Sequence, residues 1–369
     1  NWCYWRPWFL WLFCLSRMLE GFVITKMLIL STLAFLVAFA WTPVLTHFLY
    51  KYKLGKSIRS AVTAPMFAEL HKKKAGVPTL GGLLMWGTTL MIAMFFALGM
   101  MIFPDSVFAE LNFFSRSQTW LPLAALVAAG LIGMADDFMN IHKLGTHGGG
   151  IDIRHRLALY TLVAAVGAWW FYFKLGWDSL HIPLYGDLSI GWWYIPFFIL
   201  VIVATSFSVN QTDGLDGLAG GTLASAFSAY AVISLIQGRY DLAALCAVIV
   251  GSLLAFLWFN IYPARFIMGD TGAMSMGVTL GVVALLTNSA LLLPIIGIVF
   301  VVEAFTTILQ LTSKKLFKRK LFLIAPVHHH FEAQGWPEPK VVMRFWVVSW
   351  IGAGVGLIVA LLDVATMVQ

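Results

Sequence analysis

The chain has 369 residues, 60% of them hydrophobic and 11% charged, with 24 lysines and arginines against 17 acidic residues and a formal net charge of +7. Soluble domains carry roughly 25% charged residues, so this composition excludes an ordinary water-soluble enzyme and points to lipid as the solvent. The longest polar stretches run to about 30 residues, short of the usual domain minimum, and basic residues flanking membrane spans account for the positive balance without a nucleic-acid partner.

In chain order, residues 1–26 crowd Trp2, Trp5, Pro7, Trp8 and Trp11 among few charges. The stretch lacks the small-residue cleavage site of a secretory signal. It reads as a tryptophan-rich extension, either lying in the membrane interface, where Trp is favoured, or standing upstream of a functional chain that begins near Met27. Residues 27–369 then form one transmembrane domain. A spanning helix needs about 20 apolar residues. Ten such runs follow, at 28–49, 80–103, 119–135, 156–175, 192–209, 217–236, 241–259, 272–288, 290–311 and 341–362. The fold class expected is all-α, a polytopic integral membrane protein of about ten helices.

Orientation follows from the basic residues. Lys51, Lys53, Lys56, Arg59, Lys72, Lys73 and Lys74 follow the first run, and Lys314, Lys315, Lys318, Arg319, Lys320 and Lys340 precede the last. Alternate connections hold only Arg116, Lys174 and Arg239, one apiece. The basic connections are expected in the cytoplasm and both termini in the periplasm or exterior. Cys3, Cys14 and Cys246 have no metal-type spacing and suggest no disulfide framework. Gly148, Gly149 and Gly150 mark a flexible loop tip.

With this topology the unusual polar clusters all emerge on the cytoplasmic side. Lys74, before Gly76-Val77-Pro78-Thr79-Leu80-Gly81-Gly82, is a point charge suited to phosphate or one more topology lysine; the spacing is not that of a Walker loop. Asp136 and Asp137 close an apolar run. A carboxylate near hydrocarbon costs about 2.5–3.5 kcal/mol on insertion scales. The pair is therefore either a solvated helix end or a hold for a hard cation such as Mg²⁺, which combines one or two carboxylates with substrate phosphates.

The next cluster is Asn210-Gln211-Thr212-Asp213-Gly214-Leu215-Asp216-Gly217. Helical spacing would stack Asn210, Asp213 and Asp216 on one side; a capped polar turn is the other reading. Asn260 to Gly272 carries Asp270 between glycines before a span, where a helix start offers N–H groups to an anion or Asp270 merely caps it. Pro326-Val327-His328-His329-His330-Phe331-Glu332 places three histidines in succession. Consecutive side chains diverge, so contacts to a diphosphate or sugar fit better than one shared metal; a His-rich solvated loop is the other reading.

Together these segments closely resemble the phospho-N-acetylmuramoyl-pentapeptide transferases, within the polyprenyl-phosphate N-acetylhexosamine-1-phosphate transferases, from about Leu70 to the C-terminus in order and spacing. The Asn210–Gly217 segment is specific to the superfamily. The Pro326–Glu332 segment, followed by Gly335-Trp336-Pro337-Glu338-Pro339-Lys340, looks like the muramoyl-pentapeptide branch. The pattern departs at Val77 and Leu80, where the family often has Thr and Met, and at Ala273-Met274, where it often has Ser-Leu. The loop from His147 to Arg156 does not align cleanly.

The resemblance implies transfer from UDP-N-acetylmuramoyl-pentapeptide to undecaprenyl phosphate, giving lipid I and UMP with Mg²⁺, by a homodimer of the bacterial inner membrane. It implies catalytic roles for Asp136, Asp137 and Asp270, and metal ligation by Asp270 and Asp213. It implies substrate contacts by Lys74, Thr79, Asn210, Asp213, Asp216, Asn260, His328, His329 and His330. A sister transferase using UDP-N-acetylglucosamine is the nearer alternative. A transporter or flippase is the more distant one, kept open by Glu303 inside the ninth run, whose plain reading is a helix–helix hydrogen bond.

Overall fold

The structure, a computed structural model, describes residues 6–55, 74, 76–144 and 150–367, and only the backbone of 6–20, 153 and 367. The tryptophan side chains of the N-terminal stretch, Cys3, Cys14, Lys56, Arg59, Lys72, Lys73 and residues 147–149 lie outside what is described.

Helix α1 (Arg6–Lys51) runs unbroken past residue 26, and Gly21–Lys51 within it is long and apolar enough to span. There follow α2 (Gly82–Ile102), the short α3 (Val107–Leu111), α4 (Trp120–Ile141) and α5 (Ile153–Trp169), which ends in a π turn over Trp170–Lys174. An antiparallel hairpin, β1 (Ser179–Ile182) and β2 (Gly186–Ser189), pairs Leu180 with Leu188. Hydropathy gives no sign of it, because four-residue strands carrying His181 and Asp187 are too short and polar to show a period. The chain continues through α6 (Tyr194–Thr212), α7 (Leu218–Ile236), α8 (Tyr240–Asn260) and α9 (Gly269–Leu286). It closes with α10 (Leu293–Ile296), α11 (Ile298–Leu316), α12 (Val327–Ala333) and α13 (Glu338–Met367).

Among the described residues nine helices are long and apolar enough to cross a bilayer, and the segment Ala290–Leu316, bent by 83° between α10 and α11, is either a tenth, broken span or a re-entrant loop. Nine of the ten expected runs are therefore found as unbroken spanning helices, and the ninth run is bent rather than straight. The break falls at Gly297, just after the single turn Leu293–Ile296 that carries Pro294. Such kinks belong at Gly and Pro.

The centre of the bundle is α9, whose every residue is buried. It packs against α2, α4, α6 and α7. Its small residues Gly272, Ala273, Ser275, Gly277, Gly281 and Ala284 permit that close approach, the usual device where lipid removes any hydrophobic drive between helices. Ser275 and Thr279 turn their hydroxyls back to the carbonyls of Thr271 and Ser275, at 2.9 and 2.7 Å, so neither of these two hydroxyls is stranded in apolar surroundings. Outer helices instead show bare apolar side chains, such as Phe95, Leu162, Val166, Phe305 and Val347. This is a multi-pass membrane protein.

The connections α1–α2, α4–α5, α6–α7, α8–α9 and α11–α13 meet at one end of the bundle. Gly81 N–H donates to Ile267 O and Ile267 N–H to Pro78 O, both at 2.9 Å, stitching the first to the fourth. The remaining ties pass through the polar side chains that follow.

Candidate active site

The start of α9 organises the site. The first turn of a helix leaves N–H groups without intrahelical partners and carries a partial positive charge. Here carboxylates from other elements take up that role. Asp137, from the end of α4, accepts Thr271 N–H at 2.9 Å and the Thr271 hydroxyl at 2.7 Å on Oδ2, and the Thr79 hydroxyl at 3.2 Å on Oδ1. Asp213, from the α6–α7 turn, accepts Gly269 N–H at 3.0 Å. Gly269 has φ +71°, and a β-carbon there would collide with Thr79 and Asp137, so this corner demands glycine.

Asp270 is not the cap of its own helix. Its carboxylate turns instead to the Arg156 guanidinium and to the amide of Asn210. Arg156, in the first turns of α5, reaches Asp270 Oδ1 with Nη1 at 3.1 Å and Asp136 Oδ2 with Nη2 at 2.6 Å. The same Nη1 lies 3.2 Å from Asn210 Oδ1. Asp136 Oδ1 accepts Ile151 N–H at 2.6 Å. Two buried carboxylates from α4 and α9 thus converge on one cation, with the α6 asparagine beside them. Planar, charge-assisted bonding of this kind is what guanidinium offers carboxylates and phosphates alike.

A second ion-paired group lies along the same end. Lys74 Nζ stands 2.7 Å from Asp216 Oδ1 and 2.5 Å from Glu338 Oε1. Asp216 Oδ2 accepts Ala264 N–H at 3.0 Å, and Glu338 Oε1 also accepts Asp216 N–H at 2.7 Å. Burial works against the charge on Lys74, but the carboxylates of Glu338 and Asp216 outweigh it and hold its pKa above the ordinary lysine value. Asn260 acts as a strut between backbones: it accepts Gly217 N–H at 2.9 Å and donates to Phe266 O at 2.8 Å.

The helical stacking of Asn210, Asp213 and Asp216 does not occur. Helix α6 stops at Thr212, and Gly217 at φ +82° turns the chain into α7. Asp213 therefore faces α9 while Asp216 faces Lys74.

The histidines diverge as consecutive residues must. His328 Nδ1 meets Glu303 Oε2 at 2.8 Å, which makes Glu303 a tie between α11 and α12. His329 Nδ1 meets Glu332 Oε2 at 2.7 Å. The His328 and His329 rings lie 4.0 Å apart, and both reach the space that a side chain at Gly214 would fill. His330 turns away, accepting Leu323 N–H at 3.2 Å and contacting Gln334. The structure therefore brings His328 and His329 against the Asp213–Gly217 turn and leaves His330 outside it.

Comparison with known proteins identifies the family. Residues 119–288 match the family described as glycosyl transferase family 4. A phospho-N-acetylmuramoyl-pentapeptide-transferase of Chloroflexus aggregans is 37% identical over 350 residues, 91% of this chain and 90% of the relative. One from Geobacillus sp. (strain WCH70) is 37% identical over 334 residues, 90% of this chain and 97% of the relative. One from Pelobacter propionicus is 35% identical over 317 residues, covering 81% and 82%. The chain belongs to the phospho-N-acetylmuramoyl-pentapeptide-transferase family.

Two charged residues at the centre of this transferase escaped the sequence reading. Arg156 sits at the start of a span, where a basic residue has the look of a topology signal. Glu338 sits beside two prolines at the start of the last span and resembles a helix-start acid. The signal for both lies in the acids themselves, since buried carboxylates need cations and acceptors need donors.

Proposed function

We propose that this chain moves the phospho-N-acetylmuramoyl-pentapeptide group from its UDP derivative to undecaprenyl phosphate, releasing UMP and leaving lipid I, at the cytoplasmic face of a bacterial inner membrane. Both termini then lie outside, and the working enzyme is a homodimer with residues 27–369 as its transferase domain. One observation carries the reading. Asp136, Asn210 and Asp270 gather around Arg156 at the membrane edge, in a chain 37% identical to named transferases along about nine tenths of its length.

The reaction brings two anions together, so repulsion must be neutralised. Among the described residues no three acidic, histidine or cysteine side chains form a ready-made metal cluster. The donor set nonetheless suits a hard cation, because Asp136, Asp213, Asp270 and Asn210 offer oxygen where two carboxylates already share one positive group. Asp270 and Asp213 would hold Mg²⁺. When bound, Mg²⁺ supplies charge neutralisation on the diphosphate.

The chain's own residues do the rest. Arg156, drawn into the site by Asp136 and Asp270, presents a planar guanidinium suited to a two-pronged contact with phosphate. Lys74, held charged by Asp216 and Glu338, faces the same end with a point charge for phosphate. A phosphate monoester has a second pKa near 6, so the lipid phosphate attacks without needing a strong base, and Asp136 and Asp137 serve positioning before proton removal. His328 and His329 border the Asn210–Gly217 turn as contacts for the donor's diphosphate or sugar.

Supplying purified protein with undecaprenyl phosphate and either UDP-N-acetylmuramoyl-pentapeptide or UDP-N-acetylglucosamine tests the donor. UMP release with the first alone is expected. Release with the second alone assigns the chain to the sister activity. A phosphorylated Asp270 trapped by rapid quench would replace direct attack with a covalent route.

A further inference from the structure

A groove of about 690 Å³ opens where α1 ends against the last turn of α8 and the loop leading to α9, lined in part by Thr46, His47, Tyr50, Lys51, Phe259 and Arg265. None of the acidic-site residues lines it. It lies at the ends of two membrane spans, Gly21–Lys51 and Tyr240–Asn260. Lys51 and Arg265 are both exposed, and among the described residues neither has an ion-pair partner. Each cation leans on an aromatic ring, Lys51 on Tyr52 at 5.8 Å and Arg265 on Phe259 at 5.7 Å.

The wall beyond Phe259 is apolar and faces outward. Phe39 packs on Phe259 at 5.2 Å and meets Trp258 edge-on at 6.0 Å, and both Phe39 and Trp258 are exposed. Thr42 and Thr46, which also line the groove, bond their hydroxyls back into α1 at 2.7 and 2.9 Å.

We propose that this groove binds an anionic phospholipid, with the headgroup phosphate on Lys51 and Arg265 and an acyl chain along Phe39 and Trp258. Two juxtamembrane cations that have no ion-pair partner among the described residues attract a net negative headgroup. A zwitterionic headgroup brings its own cation into the same space and is disfavoured. A soluble phosphate ester satisfies the cations but leaves the aromatic wall unused. The Tyr50 hydroxyl already donates to Arg265 O at 2.8 Å. The lipid therefore clamps α1 to the loop that leads into Gly269 and Asp270, and its binding stabilises the fold.

Full-length protein in neutral detergent is heated with phosphatidylglycerol, phosphatidylcholine or soluble glycerol 3-phosphate, and retained lipid is counted by native mass spectrometry. The account predicts that phosphatidylglycerol raises the unfolding midpoint more than phosphatidylcholine and that glycerol 3-phosphate leaves it unmoved. Lys51→Gln with Arg265→Gln weakens phosphatidylglycerol binding at least tenfold. Lys51→Gln alone, at an exposed helix end, gives a smaller loss and serves if the double variant fails to fold. Lys314→Gln with Lys315→Gln, at the end of α11, keeps the preference. Unchanged phosphatidylglycerol binding in the Lys51 variants, or an equal loss in the α11 control, overturns the site. A full shift with glycerol 3-phosphate overturns the lipid as its ligand.

Discussion

Asp137, at the end of α4, accepts both the backbone N–H and the hydroxyl of Thr271, at 2.9 and 2.7 Å. An acid from one helix therefore completes the first turn of the helix that carries Asp270. This separates two aspartates that look alike in sequence. Asp137→Ala leaves buried donors unmet and is expected to cost about 1–3 kcal/mol of stability, read as a lower unfolding midpoint in detergent. Asp136→Asn spares that turn and is expected to leave the midpoint nearer wild type. Equal losses in both variants would contradict the division of labour.

Arg156 is expected to matter for turnover through its shape as well as its charge. Arg156→Gln leaves Asp136 and Asp270 facing each other without their cation, and turnover should fall on the order of 10²-fold or more, the scale of losing one charge-stabilising group. Arg156→Lys keeps a point charge but not the two-pronged contact, and a partial loss is expected. Steady-state rates of the two variants side by side check the order.

Lys74 and Glu338 are close enough to be energetically coupled. A double-mutant cycle with Lys74→Met and Glu338→Gln, read by thermal unfolding, should give a coupling of about 0.5–3 kcal/mol. Additive effects would mean that the 2.5 Å contact contributes nothing.

The sequence made the acids legible and hid their partners. Asp136, Asp137, Asp213 and Asp270 stand out because each lies beside an apolar run where burial is costly. Arg156 and Glu338 do not, since a charge at the mouth of a span is ordinary. The turn that sends Asp213 and Asp216 apart depends on the left-handed backbone at Gly217, which residue spacing alone does not reveal. The bend at Gly297 is hidden inside a continuous apolar run. His330 shares a motif with His328 and His329, and only the packing on Gly214 tells them apart.

At the other end of the bundle, His181 in β1 bonds Asp187 at 2.7 Å and Asp363 of α13 at 2.6 Å. Burial lowers its pKa, but the hydrogen bonds to Asp363 and Asp187 prevail, and the net shift is upward from the ordinary value of about 6.5. A group raised in the native state stabilises fully below its unfolded pKa and loses that contribution as pH rises through its native pKa. The unfolding midpoint should therefore decline as pH is raised from about 6.5, and His181→Gln should flatten the decline. An identical pH profile in both proteins contradicts the tie.

The most direct test is UMP release from UDP-N-acetylmuramoyl-pentapeptide by purified protein, with and without undecaprenyl phosphate and Mg²⁺, in wild type and Asp270→Asn. The account predicts release that needs both additions and falls by about 10²-fold or more in the variant. An Asp270→Asn protein as active as wild type, or a well-folded wild type that releases no UMP with both present, would contradict it.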